Sequence, residues 1–139
     1  MEAEAMKATA RRWILGIWDD GNVPLLDELA SPAYSYSAPG RSDLKGEAFR
    51  ALVAEMQAGF PDKRNTIDYQ IAEGNRVVTR GTTHGTHRGD FEGIAATGRR
   101  IAVPWVIITE FTGEKIASDW EIYDVFGVMQ QLGVMPAGA

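Results

Sequence analysis

From Ala3 to Trp18 the apolar positions are Met6, Trp13, Ile14, Ile17 and Trp18. The i, i+1, i+4, i+5 spacing of the last four makes one helical stripe among good helix formers. Asp20-Gly21-Asn22 stops that helix. Leu25, Leu26 and Leu29 predict a short second helix over about Val23 to Leu29, which Ser31-Pro32 ends. Ala33 to Ala38 alternates Tyr34 and Tyr36 with small residues and reads as a strand closed by Pro39-Gly40. A third helix, from near Ser42 or Asp43 to Gly59, carries Phe49, Leu52, Val53 and Met56 as its buried stripe.

Beyond Gly59 the period changes from helical to alternating. Strands are expected over Arg64–Glu73, Arg76–Arg88, Ile101–Thr112 and Lys115–Val125, with turns at Gly74-Asn75 and Gly113-Glu114. Glycine in the first central position suits a type II′ hairpin turn. A Gly-rich loop passes Gly89, Gly93 and Gly98. A last helical turn spans about Phe126 to Leu132. The order ααβα followed by four strands predicts an α+β architecture: a curved, mainly antiparallel sheet with helices segregated to one side. A single domain covers residues 1–139, with 1–5 and 136–139 expected as flexible tails.

Strand alternation sets Trp120, Ile122 and Asp124 on one face of the last strand, and Asp119, Glu121 and Tyr123 on the other. A two-residue turn at Gly113-Glu114 pairs Thr112 with Lys115. Counting outward then puts Trp120 opposite Ile107, Ile122 opposite Trp105 and Asp124 opposite Val103. Cross-strand partners share a face, so Asp124 is expected in an apolar pocket, where its pKa would rise toward the range useful for acid–base work. The competing reading is that Asp124 ends its strand and caps the next helix. The opposite face, Asp119, Glu121 and Tyr123, looks like a solvent or interface surface.

Both histidines, His84 and His87, lie three apart on one expected strand and point to opposite faces unless Gly85 bulges. That spacing argues against a shared metal site. One of them is expected at the cavity. Tyr34 and Tyr36 share a face, where they can stack on a ligand or fill the core. Glu110 falls on the face opposite Asp124.

Composition narrows the partners. The chain has 139 residues, 45% of them hydrophobic and 24% charged, with a net charge of −5 and no cysteine. No run of Lys and Arg accompanies that negative charge, which argues against nucleic acid or an anionic membrane as partner. Thiolate chemistry and disulfides are excluded. No segment approaches the roughly 20 apolar residues of a membrane span, and residues 1–12 do not resemble a signal peptide. A cytoplasmic protein is therefore expected. No P-loop, G-x-S-x-G, G-x-G-x-x-G or H-E-x-x-H motif occurs.

Several motifs together resemble one family. They are Phe60-Pro61-Asp62, Gly74-Asn75-Arg76-Val77-Val78, Gly85-Thr86-His87-Arg88-Gly89-Asp90-Phe91-Glu92-Gly93, Thr97-Gly98-Arg99, Trp120-x-x-x-Asp124 and Gln130-Gln131-Leu132-Gly133. In this order and spacing the chain is similar to the SnoaL-like polyketide (ester) cyclases of the ketosteroid-isomerase-like, nuclear-transport-factor-like superfamily. The resemblance implies a cone-shaped α+β barrel with a deep cavity closed by helices, and a homodimer or homotetramer. It implies ring closure or isomerisation by a lyase- or isomerase-type enzyme, using no cofactor or metal. It also implies an acid/base aspartate in the last strand, matched to Asp124, assisted by a histidine, matched to His87. After Trp120, relatives often carry aspartate where this chain has Glu121.

The expected substrate is a small hydrophobic molecule, flat or polycyclic. Trp105, Trp120, Ile122, Ile107, Tyr36, Tyr34, His84 and Phe60 are its expected contacts. Two other readings are open: an epoxide hydrolase of the limonene type, for which Gly81 and Thr83 stand where the charged residues should be, and a non-catalytic module binding a hydrophobic ligand.

Overall fold

A computed structural model describes residues 1–135. Helix α1 (Ala3–Trp18) buries Met6, Ala10, Trp13, Ile14 and Ile17 along one stripe. Because α1 begins at Ala3, most of the expected N-terminal tail is helical; the expected tail at 136–139 lies outside the described residues. Helix α2 (Leu25–Leu29) leads directly into strand β1 (Ala30–Ala38). Ser31-Pro32 therefore sits within a strand, and pairing lapses around Pro32, which has no N–H to donate.

Strand β2 (Arg41–Leu44) is an addition to the expected elements. It folds back on β1, with Tyr36 opposite Leu44 and Ala38 opposite Arg41. Gly40, at φ +77°, makes the intervening turn. This pairing holds Arg41–Leu44 extended, so helix α3 starts only at Gly46 and runs Gly46–Gly59. Strands β3 (Arg64–Glu73), β4 (Arg76–Thr86), β5 (Arg100–Thr112) and β6 (Lys115–Tyr123) follow, then helix α4 (Val125–Gln131).

The six strands form one curved, open sheet in the order β2-β1-β6-β5-β4-β3. All neighbours are antiparallel except β1 and β6, which run parallel, with Tyr36 opposite Asp119. Bulges in β3 and β6 interrupt the ladders and bend the sheet. Its concave face holds α1 and α3 over a core that includes Trp13, Tyr34, Phe49, Val77, Phe111 and Ile116. A second, smaller cluster of Phe60, Phe91, Ile101, Val103, Val128 and Leu132 closes the far end beneath α4. Between the two clusters lies the cavity.

The bulge in β6 decides what that cavity contains. Thr112 pairs with Lys115 and Phe111 with Ile116, but Glu110 pairs with Ser118, leaving Ala117 without a partner. One extra residue reverses the alternation beyond it. Ile116 and Asp119, three apart, are both buried, while Trp120 and Ile122 are 49% and 46% exposed. Across the hairpin Trp105 faces Tyr123, and Ile107 faces Glu121.

Candidate active site

The cavity has an empty volume of about 840 Å³, its open mouth included. Its floor is β5, where Val103, Trp105 and Ile107 point inward; Ile14 and Trp18 of α1 and Leu52 and Met56 of α3 form the roof. The Trp105 ring lies against Gly81, where an added Cβ would come within 2.5 Å of the ring and 2.4 Å of the Thr66 carbonyl oxygen. Glycine at this position is what lets the indole approach β4 so closely. The indole N–H donates to Asn65 Oδ1 at 3.0 Å, and the Thr83 hydroxyl donates to the same oxygen at 2.6 Å.

Two tyrosine–carboxyl pairs join β1 to β6, a direct result of their parallel register. Tyr34 OH donates to Asp119 Oδ2 at 2.7 Å, and Tyr36 OH donates to Glu121 Oε1 at 2.5 Å. Asp119 is wholly enclosed. Trp13 Nε1 also donates to its Oδ2 at 2.7 Å, and Thr109 Oγ1 donates to its Oδ1 at 2.6 Å. Burial raises the Asp119 pKa against the opposing pull of these donors. It does not line the cavity and acts as a buried knot tying α1, β1, β5 and β6 together.

Glu121 does line the cavity. Burial pushes its pKa up to about 7; the Tyr36 hydrogen bond lowers it and the charge of Asp119 raises it. A carboxyl group poised near neutrality in an apolar cleft can both take and return a proton in one turnover. Tyr123, two residues on and on the same face, also lines the cavity, and its hydroxyl has no hydrogen-bond partner among the described residues. Burial above all, and then Glu92, raise its pKa and keep it a donor. At the mouth, Arg41 of β2 forms an ion pair with Glu92 in the loop after β4. Glu92 and Gly93, both at positive φ, turn that loop between the bridged Phe91 and Ile94.

Trp105, Ile107, Tyr36 and Phe60 stand on the cavity wall as expected contacts. The placements expected for Asp124, Trp120 and Ile122 are corrected: all three point away from the cavity, because the count along the hairpin allowed for no bulge at Ala117. Asp124 is exposed and caps α4, its Oδ1 accepting the Gly127 N–H at 2.8 Å. Replacing Asp124 by Ala should therefore cost about 1 kcal/mol of stability, measurable by urea unfolding. Tyr34 is buried against Asp119 rather than facing a ligand. His84 is exposed on an outer groove with Asp62, Arg64 and Arg100.

His87 is fully buried but stands behind the wall, stacked on Phe60 with ring centroids 5.3 Å apart. Thr97 N donates to its Nδ1 at 3.2 Å, which places the ring proton on Nε2. Much of the long motif serves structure. Asp62 accepts from the Thr86 N–H and hydroxyl at 2.8 and 2.7 Å, and Gln131 bonds both backbone groups of Ala102. Among the described residues no three His, Asp or Glu side chains gather as metal ligands would, and no helix is long and apolar enough to cross a membrane.

The cavity residues that pattern reading missed are Glu121, Tyr123 and Lys63. A signal for Glu121 was present: two tyrosine hydroxyls on one face of β1 need acceptors when buried, and only the Asp119/Glu121 face of β6 supplies two.

An open six-stranded sheet wrapped around a cavity beneath helices is the ketosteroid isomerase-like fold. A protein with that fold from Catenulispora acidiphila DSM 44928, crystallised in complex with trimethylamine, superimposes with a TM-score of 0.76 at 22% identity, covering 91% of this chain and 93% of that one. A proposed polyketide cyclase from Acidithiobacillus ferrooxidans aligns with a TM-score of 0.83 at 27% identity over 96% and 98% of the two chains. A proposed SnoaL-like polyketide cyclase from Jannaschia sp. CCS1 gives 0.87 at 22% identity over 96% and 94%. No curated protein sequence matches the chain. The family model for SnoaL-like polyketide cyclases matches residues 8–132. The chain belongs to that family, which supports a cyclase-type function on a small molecule.

Proposed function

We propose that the protein catalyses cofactor-independent proton abstraction next to a carbonyl group of a hydrophobic substrate, with Glu121 as the acid/base. This is the step that opens an intramolecular aldol closure or an isomerisation. The observation that carries it is the Glu121 carboxyl on an apolar cavity wall, hydrogen-bonded by Tyr36 and held near neutrality by burial. The carboxylate takes the α-proton. The Tyr123 hydroxyl donates to the oxygen on which the enolate charge develops. In a cyclisation the enolate carbon attacks a second carbonyl of the same molecule, and protonated Glu121 returns the proton to the new alkoxide.

Glu121 also occupies the place after Trp120 where relatives of this family often carry aspartate, which favours it over Asp124. An epoxide hydrolase of the limonene type is less well supported, since Gly81 is covered by the Trp105 ring and Thr83 bonds Asn65. The test is deuterium exchange at the α-carbon of β-tetralone, a neutral bicyclic ketone, followed by proton NMR. Glu121→Gln should abolish the catalysed exchange and Asp124→Asn should leave it nearly intact. The opposite outcome would return the acid/base role to Asp124.

We also propose that the protein is a homo-oligomer that pairs through the outer face of the sheet. Trp120 and Ile122 on β6 stand opposite Ile108 and Val106 on β5, and Ile108 continues through Val78 to Ile71, which is 57% exposed. A row of apolar groups this long is rarely left to water in a monomer. Sedimentation should show a dimer or tetramer, and Trp120→Glu should shift it to monomer. A monomeric wild type would refute the assignment.

A further inference from the structure

Lys63 is the unusual residue of the cavity. It lies just beyond Phe60-Pro61-Asp62, immediately before β3, and its side chain joins the wall near Phe60, Asn65 and Thr83. It is only 6% exposed. Lysines ordinarily bury their methylenes and keep the ammonium in water, and this one does not. Its Nζ donates to Gln57 Oε1 at 2.8 Å, and among the described residues no carboxylate lies within ion-pair distance.

The other charged groups on the wall are already partnered. Arg41 is paired with Glu92, and Glu121 accepts from Tyr36. Asp19, the acid with the strongest electrostatic influence on Lys63, has its Oδ1 occupied by the Asn65 N–H and side-chain amide at 3.0 and 2.6 Å. A buried ammonium with one neutral acceptor for three protons is costly to hold, and an incoming anion would relieve that cost. Burial accordingly lowers the Lys63 pKa to about 8, still charged at neutral pH.

We infer that Lys63 makes the cavity selective for an acidic ligand: an apolar, ring-bearing molecule with one carboxylate, or a comparably acidic enol or phenol, whose anionic end sits against the Lys63 ammonium. The inference rests on the cavity being the substrate site and deepens that reading by naming a substrate class. It does not depend on the catalytic role of Glu121. A lysine serving only to brace Gln57 would give no such selectivity.

The experiment is calorimetric titration at pH 6 with β-naphthoate and with methyl β-naphthyl ketone, its neutral counterpart. The wild type should bind the acid at least about tenfold more tightly, as a charge-assisted contact in an apolar site requires. Lys63→Met should bind both alike, Lys63→Arg should keep the preference, and Glu121→Gln should keep it too. Equal binding by the wild type, or a preference that survives Lys63→Met, overturns the inference while leaving the exchange test of Glu121 standing. If neither probe binds, the cavity reading and this inference fall together. The wild-type comparison decides the matter even if Lys63→Met does not fold.

Discussion

Replacing Glu121 by glutamine is expected to slow α-proton exchange by about 10²–10⁴-fold, the usual contribution of a positioned general base. Glutamine keeps the size of the side chain and an oxygen for the Tyr36 hydroxyl, so folding should survive and the loss should fall on rate. In the wild type the rate should rise with pH through about 7, where Glu121 ionises, and level off above. Tyr36→Phe should raise the pH at which activity appears, because the hydrogen bond that it removes favours the carboxylate. A flat pH profile, or a glutamine variant within a factor of a few of wild type, would sink the assignment.

The same shift has a consequence for stability. Glu121 holds its proton to about 7 in the folded chain, against 4.5 for an unperturbed glutamate. Between those values the unfolded chain binds fewer protons than the folded one, so stability is greatest below about 4.5 and falls as pH rises toward 7. Glu121→Gln should flatten that part of the stability profile.

Replacing Asp119 by alanine is expected to destabilise the fold by about 3–5 kcal/mol. Three donors, from Trp13, Tyr34 and Thr109, would be left in a dry core without an acceptor. A thermal scan should show a fall on the order of 10–20 °C for a chain of this size. Asp119→Asn keeps an oxygen for part of the network and should cost less. Removing its charge should also lower the pH midpoint of the Glu121 rate profile, since Asp119 raises the Glu121 pKa. A loss below about 1 kcal/mol for the alanine variant would show that the knot carries no weight.

The fold was largely legible in the pattern of residues, and the face of one strand was not. Helix α1 and strands β3 and β5 follow from periodicity because long stripes and long alternations leave few competing readings. Strand β2 escaped notice because four polar residues have no apolar period; its existence depends on the partner strand β1. The bulge at Ala117 is likewise tertiary. Nothing in Ile116-Ala117-Ser118 marks it, yet it decides whether Trp120 or Glu121 looks into the cavity. Ordinary preference sends apolar residues inward and a face with two carboxyls to water. That preference fails where buried acids have dedicated donors, as the tyrosines of β1 provide here.

The parallel pairing of β1 with β6 bears on how the protein comes into being. It joins Tyr34 to Asp119 and Tyr36 to Glu121, each across 85 positions of the chain. Contacts of such long range form late, after the loops between them have closed. During synthesis the Glu121 carboxyl and the Tyr36 hydroxyl cannot meet until β6 has emerged. The cavity wall that carries Glu121 is thus completed only when β6 docks on β1, and any exchange catalysis that rests on the Tyr36–Glu121 pair should be lost when that pairing is lost.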